Sequence, residues 1–158
     1  MSIETKLQEM GLVLPEPIKV PTGVKLPFRF VRVQGHRAFI SGHGPQNPDG
    51  SIAGPFGKVG SDITVEQGYE AAKLTALSIL GNLKRQLGSL DNITWLRVFG
   101  MVNSAPDFTS QPQVINGFSD LILELYGPER GAHARSAVGM ASLPFAMPVE
   151  IEAEIEIG

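Results

Sequence analysis

The sequence predicts a single α+β domain, a mixed β-sheet with two helices packed on one face. Three observations lead there. The chain ends in a run, Val149 to Ile157, in which apolar residues alternate strictly with glutamates, the period of a strand with one buried face. Two stretches, beginning near Thr64 and Pro112, carry apolar residues at helical spacing. Between and around them the order reads strand, strand, strand, helix, strand, helix, strand, strand, which suits one sheet covered on one side by two helices. Residues 1–27 are expected to form a lead-in and residues 28–158 the domain proper.

The chain has 158 residues, long enough to bury a core. Apolar residues make up 42% and charged residues 18%, the balance of a folded chain. The net charge of −3 gives no electrostatic footprint for nucleic acid. No apolar run has the length of a membrane span, and the N-terminal residues lack a secretory pattern, so a cytoplasmic protein is expected. Without cysteine there is no disulfide, thiolate nucleophile or sulfur ligand.

Ile3, Leu7 and Met10 predict a short helix over Ser2–Gly11, and Pro15, Pro17 and Pro21 an extended run after it. Phe28–Val33 and Arg37–Gly42 read as strands joined by a Gly35-His36 turn. Asn47-Pro-Asp-Gly50 is a turn, followed by a short third strand around Ser51–Ala53. Thr64 and Gln67 form a capping box, the stripe from Tyr69 through Ala72, Ile79 and Leu83 to Leu87 faces the core, and Gly88 closes the helix. Ile93–Asn103 reads as a strand buried on both faces, in which Arg97 needs a partner or an exit to solvent. Pro112 starts the second helix, whose buried face is Val114, Phe118, Leu121, Ile122 and Leu125, and Gly127-Pro128 ends it. Ser136–Leu143 and the terminal run are the last strands, interrupted by Pro144 and Pro148. One sheet face carries apolar residues that a single subunit cannot cover, which predicts oligomerisation.

Arg135 stands among small residues, Ala134, Ser136 and Ala137, with room beside it for a ligand. A guanidinium binds a carboxylate through two parallel hydrogen bonds, although the residue type alone reads more often as a surface ion pair. The four terminal glutamates read as a solvated strand face, and spacing does not single one out. If residues 135–143 and 149–157 form a simple hairpin, Arg135 lies opposite Ile157. Glu150 is then about 23 Å away at ~3.3 Å per residue, so a shared site requires two subunits or an irregular hairpin. His36, His43 and His133 share no metal-ligand spacing, and no glycine loop has a dinucleotide-binding context.

The Arg135-Ser-Ala-Val138 opening, the Leu143-Pro144 that follows and the terminal Val149-Glu-Ile-Glu-Ala153, together with Phe39-Ile-Ser-Gly42, resemble the Rid family of reactive intermediate deaminases, also called endoribonuclease L-PSP or YjgF-like. The resemblance implies a chorismate-mutase-like fold and homotrimers with clefts between subunits. It implies hydrolysis of small enamine or imine carboxylates, such as 2-aminoacrylate or 2-imino acids, to 2-oxo acids and ammonia, with no cofactor. It assigns carboxylate binding to Arg135 and to the backbone of Ser41-Gly42, water positioning to Glu150, and the pocket wall to Asn116 and the backbone of Ala137. Phe28 stands where many members have a tyrosine and Ala137 where a cysteine is common; the missing tyrosine hydroxyl and an inserted-looking stretch, Thr109–Gln113, leave the substrate less defined than the reaction. From residue type alone, Ser41-Gly42 reads equally as a strand-end turn, and Asn116 reads more often as an exposed helix residue. A trimer that only binds small carboxylates would use the same arginine. RNA cleavage follows a family label rather than these residues, and neither nucleic acid nor membrane is expected as a partner.

Overall fold

The computed structural model describes all 158 residues. In chain order it contains α1 (Ile3–Glu9), β1 (Val31–Gln34), β2 (Arg37–His43), α2 (Val65–Leu87), β3 (Ile93–Asn103), α3 (Gln111–Gly131), β4 (Ala134–Met140), a 3₁₀ turn (Pro144–Ala146) and β5 (Val149–Ile157). The five strands form one sheet in the order β1-β2-β5-β3-β4. Every neighbouring pair is antiparallel except β3 and β4, which are parallel. A parallel pair needs a crossover, and α3 supplies it. This is the α+β fold the sequence predicts.

The alternation in β5 places Val149, Ile151, Ala153 and Ile155 on the helix-covered face, all buried, and Glu150, Glu152, Glu154 and Glu156 on the other. Helix α2 starts where expected. Thr64 Oγ1 accepts from the Gln67 N–H while Gln67 Oε1 accepts from the Thr64 N–H, and Gly88 ends the helix at φ 81°. Such a box is worth about 1 kcal/mol. The five apolar residues expected on the inner face of α3 are all buried. A side chain at Gly117 would run into the Tyr69 carbonyl, so this glycine sets how closely α3 lies on α2. Between sheet and helices, Trp95 meets Phe118 and Tyr126 edge-on at 5.7 and 5.9 Å, the geometry aromatic rings prefer. Helix α1 adds Ile3 and Leu7 to this core, and Glu4 pairs with Lys84 at 3.2 Å.

Four expectations need correction. Ser51–Ala53 is no strand: its ladder is a single Gln46–Ile52 bridge, because prolines on both arms leave few N–H groups for pairing. Strand β1 begins at Val31, and Phe28–Phe30 lie outside it, held by the Ser41 N–H on the Phe30 carbonyl at 2.9 Å and Ser41 Oγ on the Arg29 carbonyl at 2.7 Å. Strand β3 is buried on its helix face only, and Arg97 is exposed on the open face opposite Glu154. The last two strands are not a hairpin, since β3 lies between β4 and β5. Residues 141–148 cross the end of β3, where Asn103 N–H donates to the Pro148 carbonyl and Asn103 Nδ2 to the Met147 carbonyl.

Gly127, at φ 76° and ψ 177°, interrupts α3 where the Gly-Pro pair predicts an end, and one more turn follows it. No helix is long and apolar enough to cross a membrane.

Candidate active site

Strand β4 is an edge strand, and Arg135 pairs in register with Val98, which is fully buried on the helix side. The Arg135 side chain is half-buried and runs towards α3. Its Nη1 donates to Asn116 Oδ1 at 2.8 Å and to Ser119 Oγ at 3.1 Å. Asn116 and Ser119 are three residues apart on the helix, hence on one face of it. Ser119 Oγ is also 2.9 Å from His133 Nε2, and His133 Nδ1 is 2.8 Å from the Gly131 carbonyl. Burial, aided by the nearby Arg135 charge, lowers the His133 pKa and favours the neutral ring. Nδ1–H then donates to Gly131, Nε2 accepts from the Ser119 hydroxyl, and the serine oxygen is left to accept from Arg135. The chain holds two salt bridges, Lys19–Asp49 and Lys84–Glu4, so Arg135 has no carboxylate partner within it.

Glu150 is held on the open face of β5 by its pairing with Met101. The β2–β5 register shifts between Ile40 and His43, and this bulge brings Gly42 directly beneath the Glu150 carboxyl. A side chain at Gly42 would occupy the space that the carboxyl takes. Glu150 is half-buried without a hydrogen-bonding or ionic partner in the chain, and burial, reinforced by Glu152, raises its pKa.

Gly42 and Glu150 line one cavity of about 480 Å³ together with Phe28, Phe30, His43, Asn82, Phe145 and Met147. His43 is 4% exposed and its pKa is lowered to about 4, chiefly by burial. Its Nδ1–H donates to the Ser41 carbonyl at 2.6 Å and its Nε2 accepts from Asn82 Nδ2 at 2.9 Å. Asn82 Oδ1 in turn accepts from Arg85 at 2.7 Å.

The sequence-based site residues therefore fall into two groups. Arg135 and Asn116 come together, as do Glu150, Gly42 and Phe28. Ser41 spends its hydroxyl on the Arg29 carbonyl, and Ala137 lies two residues beyond Arg135, against Gly100 and the edge of the core. Sequence reasoning missed Ser119 and His133. The available signal was their spacing, three residues after Asn116 and two before Arg135. It also missed His43 as the buried hub beside Gly42.

The two groups are apart within one subunit. Val98 pairs with both Arg135 and Ala153, and Glu150 lies three residues along β5 from Ala153. Two strand spacings across and three residues along give a separation of about 14 Å between their backbones. The side chains also leave opposite faces of the sheet. The hairpin figure of about 23 Å is thus replaced by a shorter distance with β3 in between.

The family model described as "YjgF/chorismate_mutase-like, putative endoribonuclease" matches residues 4–151. Protein TCP17 of Trypanosoma cruzi is 38% identical over 158 residues, covering 98% of this chain and 94% of that protein. The crystal structure of Atu1372 from Agrobacterium tumefaciens superimposes with a TM-score of 0.86 at 40% identity, covering 99% of this chain and 92% of the other. A Shewanella oneidensis structure with the same endoribonuclease designation gives a TM-score of 0.88 at 28% identity, covering 99% and 100%. Fold and sequence together define a member of the YjgF, or Rid, family, and this chain belongs to it.

Proposed function

We propose that the chain hydrolyses small 2-imino acids and their enamine tautomers to 2-oxo acids and ammonia, in a site assembled between neighbouring subunits of a homotrimer. The observation that carries this reading is a pair of complementary, unpartnered charges. Arg135 is half-buried and oriented by Asn116 and Ser119 with no carboxylate on it. Glu150 is half-buried with a raised pKa and no cation on it. Burying a charge unpaired is costly, so such groups mark places where something else binds.

In this mechanism the Arg135 fork holds the substrate carboxylate, with the Gly42 backbone N–H beside it. Glu150 orients a water molecule, accepts its proton as the oxygen adds to the imine carbon, and passes that proton to the nitrogen. Glu150 then takes the proton of the new hydroxyl and returns it to the amine, the C–N bond breaks as the carbonyl of the 2-oxo acid forms, and ammonia leaves. A carboxylate with a raised pKa is suited to taking and returning a proton, an effect typically worth ~10²–10⁴-fold. Positioning supplies the rest, because an imine is already electrophilic.

The test is to generate 2-aminoacrylate with a pyridoxal-phosphate enzyme, and larger 2-imino acids with an amino-acid oxidase, and to follow 2-oxo acid release. Release at least tenfold faster with the protein, lost in Arg135→Ala, is the expected result. Equal rates with the wild type and Arg135→Ala would remove the mechanism. An RNA-cleavage assay on the same two proteins tests the activity that the family designation names.

A further inference from the structure

We propose that the recess beside Glu150 receives the substrate's side chain, and that the chain prefers 2-imino acids bearing a large aliphatic or aromatic group over the three-carbon 2-aminoacrylate. The inference rests on the reading of Glu150 and Gly42 as part of the reaction site. The recess wall is apolar, formed by Val20, Val24, Leu26, Phe28, Phe145 and Met147, and it opens onto Glu150 and the Gly42 backbone. Val24 is 53%, Phe28 50% and Phe145 74% exposed. Apolar side chains gathered at one opening beside a reactive group mark a binding wall rather than scattered surface residues.

The backbone holds this wall in place. The lead-in is tied to the turn after β2 by the Glu16 N–H on the Pro48 carbonyl at 3.0 Å and the Lys19 N–H on the Gly50 carbonyl at 3.2 Å. Phe145 and Ala146 both adopt left-handed conformations, at φ 58° and 55°, which L-residues tolerate only under constraint. That turn keeps the Phe145 ring at the rim of the recess instead of folding it into the core.

Glu150 apart, the polar side chains of the wall are already engaged, Lys19 by Asp49 at 3.3 Å. Both ring nitrogens of His43 are bonded, Asn82 bridges His43 and Arg85, and Gln46 Nε2 donates to the Glu16 and Gly50 carbonyls. A polar substrate side chain would find few partners there, whereas an apolar one removes exposed carbon from water on both sides. At about 480 Å³ the space falls within the ~300–1,000 Å³ typical of small-molecule pockets, and a three-carbon substrate would leave most of it unfilled. Since one methylene in an apolar pocket discriminates by ~10-fold or more, a benzyl group should exceed that easily.

Titration calorimetry of the full chain with pyruvate and with phenylpyruvate, the product-like probes, tests this directly. Phenylpyruvate is expected to bind at least tenfold more tightly. Val24→Asp and Leu26→Asp, two separate changes at exposed positions, should each shrink that ratio towards one. Equal affinities for the two acids overturn the inference, including the case in which another copy of the chain covers the recess. If 2-aminoacrylate is hydrolysed while the affinities are equal, the recess assignment falls and the deaminase reading stands. If phenylpyruvate binds preferentially and both variants erase the preference, yet no imine is hydrolysed faster, the recess stands and the deaminase reading falls.

Discussion

Arg135 and Glu150 leave opposite faces of one sheet, three residues out of register across β3, and neither has an ionic partner in its own subunit. A cation and an anion placed this way cannot grip one small molecule from a single chain. In the proposed trimer, a head-to-tail interface would bring one subunit's Arg135 to the next subunit's Glu150. Complementation is the sharp test. Arg135→Ala and Glu150→Gln should each be inactive alone. Unfolded together and refolded as a mixture, they should recover about a quarter of wild-type activity, since a random ring forms one intact site in four. No recovery in mixed rings, verified by mass spectrometry, would place both residues in one subunit's site.

Asn116 holds Arg135 through a neutral oxygen, which orients the guanidinium without neutralising it. Replacing it with aspartate keeps the shape and adds a competing carboxylate. Asn116→Asp should therefore raise KM by at least tenfold while the melting temperature stays level or rises. Asn116→Ala should affect KM less, because Ser119 still accepts from the same nitrogen. Steady-state kinetics on both variants check this, and an unchanged KM in Asn116→Asp would mean that Arg135 does not bind the carboxylate.

Local signals in the sequence were strong where one residue decides one backbone event. Thr64 with Gln67 started α2, Gly88 ended it, and the alternation from Val149 assigned both faces of β5. Arg135 was singled out by the family resemblance, because a cation among small residues reads by itself more often as a surface ion pair, and its contacts with Asn116 and Ser119 come only from the fold. Strand pairing was less legible: the insertion of β3 between β4 and β5 depends on the α3 crossover, and nothing in the last twenty-five residues encodes it. Ser119 and His133 were missed for a related reason. Their role exists only once α3 lies over β4, and a serine on a helix or a histidine before a strand has no periodic signature.

Gly42 lies directly against the Glu150 carboxyl, with no room between them for a side chain. Its φ is not in the left-handed region, so alanine is tolerated by the backbone, and the nearest atoms to the added methyl are the carboxyl and Cγ of the flexible Glu150 side chain. Gly42→Ala should thus cost little stability but push the carboxyl away from where it aims water. The expected outcome is a kcat reduced about 10- to 100-fold, part of the ~10²–10⁴-fold that a well-placed general base supplies, with a melting temperature close to wild type. Unaltered kcat in a folded Gly42→Ala protein would show that the Glu150 position is not used.

The buried His43 makes stability depend on pH in a defined direction. Its folded-state pKa is lowered from 6.5 to about 4, chiefly by burial, so between those values the unfolded chain binds the proton and the folded chain does not. Unfolding is then favoured as pH falls, and the contribution present above pH 6.5 is lost progressively towards pH 4. A shift of that size corresponds to roughly 3 kcal/mol. His133, also lowered by burial, acts with the same sign. Glu150 acts with the opposite sign: its raised pKa contributes stability below the unfolded carboxyl value, lost as pH rises through the folded one. The histidines should prevail, with the net effect a fall in urea midpoint from pH 7 to pH 4.5. In His43→Gln, which cannot titrate, the fall should be clearly shallower, and a slope identical to wild type would assign the acid sensitivity to other groups.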